Sequence, residues 1–260
     1  MSFPNLLLEK KDFIATVTVN REKALNALNP DVLKDIQSCF SQLSTDNEVR
    51  AVVVTGAGDK AFVAGADISA MSTMSEADAV EFGKLGHAAM NAVDHCRKPV
   101  IAAVNGFCLG GGMELALSCD FIYASEKAKL GLPEVNLGLF PGWGGTQRLA
   151  RLVGKGVAKE LIFTAKVIGA ADALAFGIVN KVSKPEDLLN DARAAAAEIC
   201  KKGPVAVQLA KQVINEGFDQ PLPHGLEKEK TTFPKCFTTQ DLKEGLAAFL
   251  EKRPAKFQGK

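Results

Sequence analysis

The sequence predicts an α/β fold with crossover connections, and three observations carry that prediction. Short, continuous apolar runs, Arg50 to Gly56 and Val100 to Val104, have the pattern of strands buried on both faces. Longer segments between them place apolar residues at helical spacing. The two kinds alternate at intervals of roughly 30 to 50 residues, as strand–helix crossover units do.

Taken in order, Leu6 to Glu9 and Phe13 to Asn20 read as two strands around a Lys10–Lys11–Asp12 turn. Ala15, Val17 and Val19 give the second strand its apolar face. Arg21 to Leu28 is a loop. Asn29 and Pro30 open a helix: Asn29 can cap it and Pro30 suits its first turn. Val32, Leu33, Ile36, Phe40 and Leu43 then fall on one face. After the Arg50–Gly56 strand and the Gly56–Asp59 turn, Phe62 to Ile68 is too rich in small residues for an ordinary strand. Small residues let a backbone approach something closely. Ser75 to His95 reads as a long helix with Val80, Leu85, Ala88, Ala89 and Val93 in its inner stripe, ended by Lys98–Pro99. Phe121 to Ala124 is a further strand, Gly154 to Ala165 and Ala170 to Phe176 are helices, and Ile178 to Val182 is a late strand. From Glu186 the chain reads as helices over 186–200, 205–215, 222–233 and 239–250, broken at Gly203–Pro204 and Pro221–Leu222–Pro223. Such a tail either folds back on its own core or packs on a neighbouring subunit.

Composition narrows the function. The 260 residues carry a formal net charge of +1, with 47% hydrophobic and 23% charged residues, ordinary for a soluble globular enzyme. A balance this neutral gives no support for nucleic-acid binding. The six cysteines form no CxxC pair and no zinc spacing, so they are expected to be reduced and mostly buried, and no metal is expected. The first residues lack the basic and apolar parts of a signal peptide, and no apolar run reaches membrane-spanning length. The expectation is a cytoplasmic protein, or a mature soluble form, with no membrane partner.

The chemistry concentrates between Pro99 and Arg148. An apolar run enters Gly110–Gly111–Gly112, which opens a helix bearing Glu114. A second acid, Glu134, follows Pro133. The start of that helix points free backbone N–H groups at whatever lies before it. Glu114 stands among Met113, Leu115, Ala116 and Leu117, and Glu134 among Leu132, Pro133 and Val135. Apolar surroundings raise a carboxyl pKa into a range useful for proton transfer. Two such acids beside N–H donors suggest proton chemistry next to a developing oxyanion. The glycines do not fit GxGxxG, which argues against a nicotinamide-dependent dehydrogenase. His87, His95 and His224 form no Ser-His-Asp arrangement.

These residues carry a close resemblance to the enoyl-CoA hydratase (crotonase) family. The matching stretches are NREKALNAL (20 to 28), AFVAGADI (61 to 68), KPVIAAVNGFCLGGGMELALSCD (98 to 120), GLPEVNLGLFPGWGGTQRL (131 to 149) and EGLAAFLEKRPAKF (244 to 257). They span essentially the whole chain in the right order. The resemblance implies a crotonase-like spiral of ββα units over residues 1–200 as the catalytic core. Residues 201–260 would form a C-terminal helical trimerisation region, giving a trimer or a dimer of trimers. It implies a hydro-lyase that adds water reversibly, syn, to a 2-trans-enoyl-CoA to give a 3-hydroxyacyl-CoA. Coenzyme A is then part of the substrate, and no separate cofactor is required. Matched motif by motif, Glu114 and Glu134 are the catalytic acids that hold one water. The N–H groups of Ala66 and Gly111 form the oxyanion hole. Lys23, Ala24, Leu25, Ala64, Gly65, Ala66, Asp67, Ile68, Gly110, Gly111, Pro133 and Gly142 line the acyl-CoA site. We assign Glu114 to deprotonating the water and Glu134 to protonating C2. Met71, Met74 and Phe82 are candidates for the far wall of the acyl pocket, and Trp143 either packs or shapes that pocket. The alternatives are other acyl-CoA chemistries of the superfamily, such as an isomerase or a cyclic enoyl-CoA hydratase, or a non-catalytic RNA-binding or scaffold member.

Overall fold

The computed structural model describes residues 3–260. Strands β1 (Leu6–Lys11) and β2 (Ile14–Val19) form an antiparallel hairpin. Lys10 and Lys11 belong to β1, pairing with Ala15 and Ile14, and the turn is Asp12–Phe13 rather than Lys10–Asp12. Both turn residues have positive φ (51° and 65°), the two-residue geometry that follows the twist of the flanking strands. Helix α1 (Pro30–Thr45) starts where the sequence places it: Asn29 accepts from the Val32 N–H at 2.9 Å. All five expected core residues of its face are buried.

Three successive pairs of strands then build two sheets in step. They are β3 (Ala51–Gly56) and β4 (Ala61–Val63), β5 (Val100–Val104) and β6 (Phe107–Leu109), and β7 (Phe121–Ser125) and β8 (Lys129–Gly131). The first member of each pair joins the larger sheet, ordered β1-β2-β3-β5-β7 and finished by a late strand; the second joins the smaller one, β4-β6-β8, closed by a two-residue strand. Helices α2 (Ile68–Met71) and α3 (Glu76–Asp94) follow the first pair. Helix α4 (Gly111–Leu117) joins the second pair to the third, and α5 (Gly145–Phe163) follows the third. This is a spiral of ββα turns. The closing strand of the smaller sheet is β9 (Ile168–Gly169). After α6 (Ala170–Ala175), β10 (Lys181–Ser183) completes the larger sheet by pairing parallel with β7.

The larger sheet is covered on both faces, which is why β3 and β5 read as unbroken apolar runs. Val52, Val54, Val100, Ala102 and Val104 join the main core. Ala51, Val53, Ile101 and Ala103 instead meet Leu188, Ala192, Ala196 and Cys200 of α7 (Leu188–Cys200). The rest of the chain forms α8 (Pro204–Phe218), α9 (Leu222–Thr232) and α10 (Gln240–Leu250). Lys211 ties α8 to the core through the Lys98 carbonyl (3.1 Å) and Asp120 (2.8 Å). Arg50 ties the C-terminal tail through the Phe257 carbonyl (2.8 Å). Ile214, Phe218, Leu222, Phe233, Phe237, Phe249 and Leu250 of this part are exposed. Among the described residues no helix is long and apolar enough to cross a membrane.

Three expectations are corrected here. Val80 is exposed: α3 buries Phe82, Gly86, Ala89, Met90 and Val93, and Val80 lies two residues, about 200°, from Phe82. The helix expected at 154–165 is the second half of α5, which begins at Gly145 and bends at Gly154 (φ 79°). Ile178 and Val179 are buried in a connection, and the strand starts only at Lys181.

Helix α4 lies hard against β4. A Cβ added at Gly112 would stand 2.0 Å from the Val63 carbonyl oxygen, a backbone atom that cannot swing away. Gly112→Ala is therefore expected to destabilise the protein by about 3 kcal/mol or more, the upper end of overpacking costs, read as a lowered denaturant midpoint at constant m-value.

Candidate active site

The site is built at the carboxyl ends of three adjacent parallel strands. β4 pairs with β6 (Val63 with Cys108), and β6 pairs with β8 (Leu109 with Gly131). The chain leaves β4 into Ala64–Asp67, leaves β6 into Gly110 and α4, and leaves β8 into Leu132–Pro133–Glu134. Ligand sites in open α/β sheets gather at such strand ends. Distances show that the three loops meet. The Gly110 N–H donates to the Gly131 carbonyl at 2.9 Å. The position of a Cβ on Gly110 lies 3.1 Å from Glu134 Oε1 and 3.7 Å from Gly65 Cα. Gly110 has φ 51° and ψ −124°, open to glycine and strained for other residues, and this bend turns β6 into α4.

The two proposed donors are free to act. In the loop after β4, the Leu28 N–H donates to the Gly65 carbonyl and the Asp67 N–H to the Leu28 carbonyl, each at 2.9 Å. Ala66, between them, bridges Leu28 in parallel register, so its own N–H faces away from that partner. Gly111 is the first residue of α4, whose opening N–H groups have no intrahelical acceptor. Neither N–H has a protein acceptor among the described residues.

Glu114, in the first turn of α4, is 2% exposed. Its Oε1 accepts from the Trp143 N–H at 2.7 Å and the Gly145 N–H at 2.8 Å, at the start of the 19-residue helix α5. Burial pushes its pKa up. The Gly145 and Trp143 N–H groups and the Arg148 charge work the other way, favouring the carboxylate. Glu134 begins a short 3-10 turn, Glu134–Leu137. Burial, and secondarily the charge of Glu114, raise its pKa to about 7, against the pull of its own N–H. Its Oε2 is buried with no hydrogen-bond partner, the only such side-chain atom among the described residues. Glu134 thus senses the charge of Glu114, and the two acids differ in setting: one is anchored by donors, the other is left wanting one.

The expected acyl-CoA residues fall into two groups. Ala24, Leu25, Ala64, Gly65, Ala66 and Asp67 are laced together: the Ala64 N–H donates to the Leu25 carbonyl at 3.1 Å. Arg21 bonds both Asp67 (3.2 Å) and the Ala27 carbonyl (2.6 Å). Lys23 and Ile68 lie exposed on the same two segments. Pro133 is half-buried before Glu134, and Gly142 is exposed in the turn before Trp143. Of the candidate wall residues, Phe82 is buried, and Met71 and Met74 pack half-buried against the core.

Sequence reasoning missed three supports. The Trp143 and Gly145 N–H groups anchor Glu114; the glycine pair at 144–145, just before a helical stretch, was the available signal. Asn26, fully buried, accepts from the Arg21 N–H and donates to the Ala57 and Ala61 carbonyls, pinning the Lys23–Leu28 loop. Asn105 bonds the Gly56, Gly58 and Ala61 carbonyls and fixes the approach to β4.

Comparison with known proteins agrees with this architecture. Residues 9–260 match the family model described as enoyl-CoA hydratase/isomerase. The chain is 50% identical over 260 residues to the crotonyl-CoA hydratase of Syntrophomonas wolfei, covering 100% of each chain. It is 51% identical over 253 residues to the short-chain-enoyl-CoA hydratase of Clostridium acetobutylicum, covering 97% of each. The crystal structure of an enoyl-CoA hydratase from Bacillus anthracis superposes with a TM-score of 0.96 at 40% identity, covering 98% of this chain and 100% of that one. With its strand-end site, its two acids, one buried and one half-buried, and a family match across nearly its whole length, the chain belongs to the enoyl-CoA hydratase/isomerase family.

Proposed function

We propose that this protein is an enoyl-CoA hydratase, a hydro-lyase that adds water reversibly across the double bond of a 2-trans-enoyl-CoA to give the 3-hydroxyacyl-CoA. The observation that carries the reading is the asymmetry of the two acids. Burial raises the Glu114 carboxyl, but two N–H groups at a helix start grip it and favour its carboxylate, while Glu134 is raised to about 7 and has a buried oxygen without a partner. A water between them would be oriented by both. Glu114 takes one proton from that water, the hydroxyl oxygen bonds to C3, the C2–C3 π pair moves toward the thioester, and Glu134 gives its proton to C2. Negative charge develops on the thioester oxygen, which the Ala66 and Gly111 N–H groups would receive. One such donor is typically worth about 10² to 10³ in rate. Atoms balance without a redox step, so no cofactor is invoked beyond the coenzyme A carried by the substrate.

The pair works with one proton between its two acids, in the hydration direction and in reverse. Its loss should follow the raised Glu134 value, so kcat/KM for crotonyl-CoA is expected to hold below pH 7 and to fall as pH rises through about 7. The check is the initial rate of loss of the conjugated thioester absorbance across pH. A kcat/KM still climbing above pH 8 would reject the one-proton pair.

An isomerase of the same fold commonly works with the later acid alone, so the presence of both acids favours hydration. We further propose a homo-oligomer, a trimer or a dimer of trimers, from the exposed apolar side chains on α8 to α10. The cysteines are free, four of them buried, which suits a reducing cytoplasm.

A further inference from the structure

Arg148 takes no part in the proton transfers, yet the structure builds a seat for it. It is the fourth residue of α5, in the opening turn, where the helix dipole disfavours a cation. Its side chain is 19% exposed. Nε and Nη2 donate to Asp94 Oδ2 at 3.3 and 2.9 Å, and Nη2 also donates to Asn91 Oδ1 at 3.2 Å, both on α3. Nη1 donates to the Trp143 carbonyl at 3.3 Å. Gly144 leaves room for this contact: its φ is 110°, and a Cβ there would stand 2.2 Å from Nη1. The Trp143–Gly145 turn is thus held from both sides. Arg148 grips its carbonyl, and its own two N–H groups grip Glu114 Oε1 at 2.7 and 2.8 Å. One chain of contacts runs from α3 through the guanidinium and the turn to the acid.

That chain matters because burial raises both Glu114 and Glu134, and so does not by itself decide which acid keeps the shared proton. Arg148 is the charge that favours the Glu114 carboxylate, and Glu134, after β8, is the acid that senses it. Around Arg148 stand Asp94 on α3 and, along the cavity that Arg148 helps to line, Asp120, Arg151, Lys202 and Lys211. Asp120 pairs with Lys211 and Arg151 with Asp219, each at 2.8 Å, and Lys202 is exposed. Arg148 is the cation of this group tied to the turn that holds Glu114. We propose that Arg148 is a positioning residue that makes Glu114 the unprotonated member of the pair: clamped to α3, it fixes the two N–H donors of the Trp143–Gly145 turn and brings a positive charge to the carboxylate they hold. This rests on the hydratase reading and names what keeps its base ready.

The test is kcat and KM for crotonyl-CoA across pH in the parent, Arg148→Met, Arg148→Lys and Arg151→Met. Lost orienting partners of metal ligands cost about 10- to 100-fold, and Arg148→Met is expected to lose kcat on that scale with little change in KM. With the charge gone, Glu114 takes up the second proton more readily, so the acid end of the kcat/KM profile should move to higher pH. Arg148→Lys keeps a cation but not the fork, so it should lose part of kcat with its acid end near the parent's. Arg151→Met, a charge lost from the same helix, should leave the profile in place. If Arg148→Met alone fails to fold, Asp94→Asn/Arg148→Met removes both charges of the pair together and should show the same upward move. Methionine and lysine variants that lose rate alike with the acid end unmoved would reduce Arg148 to a structural tie and overturn the proposal. So would an Arg148→Met that keeps the parent's rate and profile, or an unmoved acid end in the double variant. A parent that hydrates no crotonyl-CoA would overturn the hydratase reading instead, so the two failures are distinct.

Discussion

Glu134→Gln is expected to lower kcat/KM for crotonyl-CoA hydration by about 10² to 10⁴ while making the folded protein more stable above pH 7. The catalytic part follows from the role of the proton: an amide cannot deliver one to C2. The stability part follows from the same burial that makes the acid useful. Its folded pKa is about 7 against 4.5 for an ordinary glutamate. Between those values the folded state binds a proton that the unfolded chain has released, so stability falls as pH rises from about 4.5 to about 7. The penalty is complete above 7, and a neutral amide escapes it. The gain in Tm of Glu134→Gln over the parent should therefore be near zero at pH 4, grow through pH 5 to 7 and level off by pH 8. A gain independent of pH would show that Glu134 titrates normally in the folded protein. A Tm loss at pH 8 would mean that the carboxylate is paired and stabilising.

Glu114→Gln is expected to cost a similar factor, about 10² to 10⁴, for a different reason. The amide oxygen can still accept from the Trp143 and Gly145 N–H groups, so the loop before α5 keeps its anchor and the fold should survive. The base is lost, because an amide cannot take the water's proton. KM should change little, since the thioester donors and the acyl-CoA loops are untouched, and the loss should fall on kcat. Removing the Glu114 charge also relieves one cause of the raised Glu134 value, so residual activity should decline at a lower pH than in the parent. Because the two acids act on one water, the double variant should be little worse than either single one. A double variant as slow as the product of the two single losses would mean that they act in separate steps.

What the sequence revealed depended on the range of each interaction. Helix α1 was legible because its signals are local: Asn29 caps it, Pro30 fits its first turn, and the buried face keeps a helical period. β3 and β5 were legible because a sheet covered on both faces leaves an unbroken apolar run. The smaller sheet was not. β6 and β8 are three residues each and β9 is two, too short for any period, and pairing with neighbours far along the chain defines them. The start of α5 was hidden for a related reason. Glu114, some thirty residues earlier, meets its first N–H groups, a contact between segments far apart in the chain. Gly86 was overlooked in α3 because a glycine carries no apolar side chain; it is buried for the sake of the Trp143 ring.

The same division runs through the site. The acids and the glycine turn were visible as residues, and the family resemblance paired them with Ala66 across 45 positions of sequence. The reason they meet is that β4, β6 and β8 lie side by side and end together, a fact of the smaller sheet that no local window contains. The anchoring of Glu114 and the seating of the indole emerged only from packing.

In the proposed mechanism water adds across the double bond with its C2 proton supplied by Glu134. The most direct measurement is turnover of crotonyl-CoA in deuterated water by the parent and Glu134→Gln, with the product read by mass and by NMR. The expected product from the parent is 3-hydroxybutyryl-CoA carrying one deuteron at C2, and formation of that product should collapse in the variant. A product with its double bond merely shifted, or a Glu134→Gln variant that labels C2 at the parent's rate, would contradict it.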